Sequence, residues 1–305
     1  MRVLVTGGAG FIASHIADGL VKLNYDVSIV DNLSAGKKEN INSKARFYKY
    51  DITNYDALRL IFKIEKPEVV IHHAAQIDVQ TSINRPAFDS DNNIIGTINV
   101  LECCRENGIR KIIYSSSAAA YGDPEYLPID ENHPVNPLSF YGISKHTPEH
   151  YIKIYSEICD MKYTIFRYAN VYGKRQDSQG EGGVISIFIN RLLNNKASLI
   201  YGDGEQTRDF IYVKDVAGAN IEALTKGDNQ IINISTNMPI SINELYKKIE
   251  KISGINIKPI YKPKRDGDIL NSYLDNTKAK NVLGWEDKYT LEKGLIETIN
   301  YYKNL

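Results

Sequence analysis

The run Val3-Leu4-Val5-Thr6 leads directly into Gly7-Gly8-Ala9-Gly10-Phe11-Ile12-Ala13, and the residues that follow, SHIADGLVKL, carry the apolar spacing of a helix. No other part of the chain restricts the fold so tightly. A strand that turns through glycines into a helix brings backbone N–H groups and the positive end of the helix to one point, an arrangement that receives a pyrophosphate. Ala13 stands where the pattern needs a third small residue, so that helix and strand can pack closely. Glycines at 7 to 10 could form a plain turn, but the strand–turn–helix context favours nucleotide binding.

The same rhythm continues. Short apolar runs at VSIV (27–30), VVIHH (69–73) and KIIYSS (111–116) alternate with helical patterns, which predicts βαβ units and a parallel sheet covered on both faces. Further alternation follows at YTIFRY (163–168) and FIYV (210–213), with helical stretches near 214–225, 241–252 and 291–303. The expected fold is α/β: a Rossmann-type doubly wound parallel sheet over residues 1–170, then a smaller α/β substrate-binding domain over 171–305. That boundary is soft, and later segments could return to the first domain. The Gly-rich stretch at 180–183 is a plausible connection between the halves.

Asp31 ends the second strand about twenty positions beyond Gly10, where a carboxylate can accept ribose hydroxyls and would repel a 2′-phosphate. This favours NAD over NADP, although Lys37 and Lys38 lie nearby. Asp51, after the third strand, is placed either to meet adenine or simply to cap. At the chemical end, Tyr141-Gly142-Ile143-Ser144-Lys145 puts a phenol and an ammonium on one helical face. Proximity to Lys145, and to the positive ring of NAD⁺, is expected to favour the phenolate and so make Tyr141 a usable base. Ser115-Ser116-Ser117 closes a predicted strand at the edge of the sheet where ligands sit, and Ser117 is the candidate to share the substrate proton.

Taken in order, TGGAGFIA, DNLS, HHAAQ, SSSAAAYG, YGISK, RYANVYG, GDGEQTRDFIYV and KRDGD resemble the extended short-chain dehydrogenase/reductase family, and within it the UDP-glucose and UDP-N-acetylglucosamine 4-epimerases. The resemblance covers essentially the whole chain. It implies that Gly7, Gly10, Phe11, Ile12, Asp31, Asn32, Leu33, Ser34, Gly36, Asp51, Ile52, His73, Ala74, Ala75, Gln76, Ile77, Asn93, Tyr141 and Lys145 surround NAD. Asn170 would touch the sugar nucleotide, Arg208 and Arg265 would clamp its diphosphate, and Asp268 would accept ribose hydroxyls. Ser272, four positions after Asp268, matches a place that gates the size of the group at C2. By the same resemblance, Ser117, Tyr141 and Lys145 carry the chemistry and the helices around 93–104 and Tyr141 pair in a homodimer. Tyr141 would take the C4 hydroxyl proton while hydride leaves C4 for the cofactor, and the 4-keto sugar would turn over before hydride returns.

Several alternatives narrow on residues. A 4,6-dehydratase needs an Asp-Glu pair after the serine or threonine, where this chain has Ala118 and Ala119. A uronate epimerase or decarboxylase, and a silent nucleotide sensor on the same fold, stay open at this point. Lys plus Arg equals Asp plus Glu at 37 each among 305 residues, so no global positive field recruits nucleic acid or an anionic membrane. The adjacent Cys103 and Cys104 with Cys159 suggest reduced thiols, no secretory pattern opens the chain, and no run is long enough to span a bilayer; the expected location is the cytoplasm. No metal is expected, since His146 and His150 at helical spacing lack a third ligand. Pro148, inside the Tyr141 helix, is expected to kink it.

Overall fold

The structure, a computed structural model, describes residues 1–177, 183–264 and 269–305. The apolar runs pair side by side into a seven-stranded parallel sheet. From edge to edge it runs Gln230–Ile234, Lys162–Tyr168, Lys111–Ser117, Val69–His72, Arg2–Thr6, Asp26–Val30 and Arg46–Tyr48. Arg2–Thr6 has the second strand on one side and the fourth on the other, so the winding reverses at this strand and a crevice opens beyond its carboxyl end. Alternate side chains feed opposite faces. Val3 and Val5 join Ile16, Leu20 and Phe166 in one core, while Leu4 joins Phe62, Val70, Leu101 and Ile112 in the other.

A second, smaller sheet is built around Thr207–Tyr212, which pairs with Asn170–Tyr172, Pro239–Ser241 and Asn271–Ser272. Helices Val184–Leu193, Ile242–Ser253 and Leu291–Lys303 cover a third core through Phe188, Leu192, Leu245, Ile249 and Leu295. Ser241 opens the second of these helices with a reciprocal capping box to Glu244. The two units interlock along the chain: Val213–Glu222 packs on the first helix, Phe11–Lys22, and Gln230–Ile234 lies in the large sheet. Gly19 makes the first contact possible, because a Cβ there would stand 2.6 Å from Ile221 Cδ1.

The helix Phe140–Cys159 runs twenty residues through Pro148 without ending, so the missing hydrogen bond to the Ser144 carbonyl does not break it. Pro148 is buried, and neighbours hold the turn in place. Among the described residues no helix is long and apolar enough to cross a membrane, and no cluster of His, Cys, Asp and Glu could hold a metal ion. Of the segment 180–183, only Gly183 is among the described residues.

Candidate active site

The glycine turn is tight for a steric reason. Gly7 has φ +71°, and a Cβ on it would stand 2.7 Å from Ala74 N. Gly10 N donates to Gly7 O at 2.9 Å, and the helix beginning at Phe11 has no side chain capping its first N–H groups, which leaves them for an anion. Asp31 is 7% exposed and accepts from Ala9 N at 3.0 Å and Leu33 N at 2.8 Å. Burial pushes its carboxyl up, against those two bonds. Asn32 donates to Asp51 at 2.6 Å, and the other oxygen of Asp51 accepts from the Thr53 N–H and hydroxyl. Burial pushes the Asp51 carboxyl up, but those bonds outweigh it and hold the net value down. Asp51 therefore caps its own turn and also lines the crevice.

One continuous crevice is lined by Gly7, Gly10, Phe11, Ile12, Asp31, Asn32, Ser34, Gly36, Asp51, Ile52, His73, Ala74, Ala75, Ile77, Ser117, Tyr141 and Lys145. Leu33, Gln76 and Asn93 are not among its lining residues, and the last two act from behind it. Asn93 Oδ1 accepts from Gln76 N at 2.7 Å, while its amide donates to Gln76 O at 3.0 Å and to Ser144 Oγ at 2.9 Å. This ties the loop after the fourth strand to the Tyr141 helix. Asp89, fully buried, accepts from both amides through Oδ1. His73 lines the crevice, whereas His72 is enclosed behind it between the Thr6 and Thr97 hydroxyls, and burial lowers both imidazoles to about 3.

Ser139 caps the catalytic-candidate helix by accepting from Gly142 N at 3.0 Å. Gly142 lets that helix press against the end of the Ser117 strand, since a Cβ would lie 2.7 Å from Ala119 O. Tyr141 and Ser117 line the crevice together, and Lys145, 3% exposed, places its Nζ 4.8 Å from the centre of the Tyr114 ring. Burial lowers the ammonium to about 7, opposed by Asp89 and Glu149. The phenol is pushed up by burial, eased by Ser117 and pushed further by Asp89. Desolvation is thus the largest influence on both groups and opposes the charged form of each.

Glu149 and Arg167 were not singled out from sequence. Glu149 is fully buried one turn beyond Lys145; its carboxylate accepts from Arg167 at 2.6 and 3.0 Å and from Ser116 Oγ at 2.6 Å. Burial opposes ionisation, yet His146, Arg167 and Ser116 hold this carboxyl down to about 2. Its place four residues after Lys145 was the available signal. His146 stands within 3.3 Å of it, and His150 within 3.0 Å of His146. Among the described residues neither imidazole belongs to a cluster that could hold a metal ion.

In the smaller sheet Asn170 lies opposite Phe210 and Ser272 opposite Arg208, and Asn170, Arg208 and Ser272 are not among the residues that line the crevice. Asn170 donates to Asp209 O at 3.1 Å, and Arg208 to Thr207 O and Leu270 O. Asp209 is fully buried and accepts from Thr236 and Asn237, so it does not form the surface pair with Arg208 that adjacency suggests. Arg265 and Asp268 lie outside the described residues. Arg175, Gln176 and Asp177 also line the crevice, a wall that the sequence did not disclose.

A nucleotide crevice that opens on a Ser–Tyr–Lys group is matched by a family profile over residues 3–235, described as the NAD dependent epimerase/dehydratase family. The chain belongs to that family. Among solved structures, the UDP-glucose 4-epimerase of Thermotoga maritima, determined with UDP-glucose, is 46% identical, with a TM-score of 0.98 and coverage of 100% of this chain and 99% of that one. The UDP-glucose 4-epimerase of Thermus thermophilus, determined with NAD, is 36% identical at a TM-score of 0.94, covering 99% of each chain. A UDP-N-acetylglucosamine 4-epimerase from Methanobrevibacter ruminantium, in complex with UDP-N-acetylmuramic acid, is 37% identical at 0.95, covering 99% of this chain and 98% of that one. In this epimerase/dehydratase setting the glycine turn and the uncapped helix start fit a dinucleotide pyrophosphate, and buried Asp31 fits its ribose.

Proposed function

We propose that this protein is an NAD-dependent UDP-hexose 4-epimerase that acts on UDP-glucose and UDP-galactose and also on their N-acetylated counterparts. The observation that carries this reading is the meeting of Ser117, Tyr141 and Lys145 in the same crevice that Gly7, Gly10 and Asp31 line. Ala118 and Ala119 follow Ser117, so the acid/base pair of a dehydratase has no counterpart.

NAD, when bound, supplies the acceptor and donor of hydride at C4. Tyr141 takes the proton from the C4 hydroxyl and later returns it, Ser117 orients the same oxygen, and Lys145 holds positive charge beside them when protonated. The 4-keto sugar must rotate between the two half-reactions, so binding energy comes from the nucleotide and diphosphate ends. Arg208, Arg265 and Asp268 serve those ends. A serine at 272 leaves room for an acetamido group at C2.

The apolar stripe Ile143, Tyr151, Ile154 and Ile158 on the Tyr141 helix supports a homodimer. Free, largely buried cysteines support a cytoplasmic location. The test is to incubate the purified protein with each UDP-sugar and identify products by NMR. Interconversion of both pairs is expected, and no change at C4 in any UDP-hexose would overturn the reading.

A further inference from the structure

Arg175, Gln176 and Asp177 line the same crevice as Gly10 and Phe11, where the glycine turn meets the first helix. Arg175 holds a left-handed backbone at φ +69°, which an arginine adopts only when its surroundings enforce it. The enforcement comes from two sides. On the first helix, His15 Nε2 donates to Lys174 O at 3.0 Å, and Asp18 pairs with Arg175 Nη1 at 2.8 Å. On the C-terminal helix Leu291–Lys303, the Tyr302 hydroxyl donates to Gln176 O and Glu297 pairs with Lys174 Nζ at 3.3 Å. Glu297 is itself fixed by Lys214 at 2.7 Å and Tyr212 at 2.9 Å.

We infer that Glu297 and Tyr302 are positioning residues for the cofactor crevice: through Lys174 and Gln176 they hold the 173–177 wall against the first helix, and so govern how slowly the dinucleotide leaves. An enzyme that returns hydride to the sugar it came from gains from a cofactor that stays, and Arg175, Gln176 and Asp177 line the crevice that would hold it. The inference needs only a dinucleotide in the crevice and does not depend on which sugar turns over.

The test uses the full-length protein carrying Glu297→Gln, Tyr302→Phe, or both. Exchange of bound NAD for fluorescent etheno-NAD gives the release rate, and limited trypsin cleavage after Lys174 and Arg175 reports the wall with or without cofactor. The double variant should release NAD about tenfold faster or more, as the joint loss of a hydrogen bond and an ion pair predicts. Cleavage at the two basic residues should quicken in parallel. Tyr302→Phe keeps the ring and carries the test alone if the double variant does not fold. Ile299→Val, a buried change on the same helix that spares both ties, should leave exchange as it was. Exchange within about twofold of the parent, faster exchange without faster cleavage, or equal acceleration in the Ile299 control would each overturn the inference.

Discussion

At Lys145 burial removes the water that an ammonium needs and lowers it from 10.5 to about 7. Between those values the folded state has lost a proton that the unfolded chain still binds, so this group makes stability rise with pH across that window. Lys145→Met in cofactor-free protein should therefore raise the melting temperature by a few degrees at pH 7, and the gain should shrink toward pH 10, while turnover is lost. A lower melting temperature at pH 7 would mean that the ammonium is stabilised where it sits. Tyr141→Phe keeps the ring and removes the proton acceptor; steady-state assays should show a loss of about 10² to 10⁴ in turnover with NAD content unchanged. Ser272→Tyr should depress kcat/KM for the N-acetylated pair far more than for the plain hexoses, and equal effects on both would exclude residue 272 as the gate. The Tyr141–Lys145 spacing was legible because helical periodicity alone puts both side chains on one face. Asp89 was not legible, since its meaning comes from Gln76 and Asn93, which only the folded loop brings to it.

Among the elements, the helix Phe140–Cys159 depends on a buried ion pair as well as on apolar contacts. Glu149 joins it to Arg167 on one strand and Ser116 on the next, and Arg167 also lies 4.7 Å from the Tyr121 ring centre. Glu149→Gln leaves Arg167 buried without its counter-charge, and chemical denaturation should show a loss of about 3–5 kcal/mol. Glu149→Gln with Arg167→Met should recover part of that loss, because no unpaired cation remains. The folded carboxyl sits near 2 against 4.5 unfolded, so its contribution is present above 4.5 and is lost as pH falls toward 2. Parent and Glu149→Gln should therefore converge in acid, and a constant difference down to pH 2 would contradict the pair's role. Most strands of the large sheet, though not Gln230–Ile234, were visible in sequence because short apolar runs such as Val3–Val5 and Val69–Ile71 leave a clear pattern. Leu199–Tyr201, Ile260–Lys262 and Asn271–Ser272 were not, since two or three residues carry no period and are fixed by their partners.

For the whole molecule, the Tyr141 helix poses a solvation problem. Ile143, Tyr151, Ile154 and Ile158 recur at helical spacing and are 46%, 39%, 56% and 69% exposed, with Ile95 at 48% on the adjoining segment. Such a stripe on a monomer would lie open to water beside the catalytic group. A second copy turned by a two-fold axis would bring the same stripe against itself, which is the simplest self-complementary cover. The prediction is that Ile154→Glu with Ile158→Glu shifts the protein in sedimentation from a dimer to a particle near 34.4 kDa. Each protomer holds its own Ser117, Tyr141 and Lys145, so the separated variant should keep the site's residues but lose melting temperature, because the helix that carries two of them has lost its support. The parent's melting temperature should rise with protein concentration while the variant's stays flat. A variant that still sediments as a dimer would place the two-fold on another face and leave this stripe without the partner proposed for it.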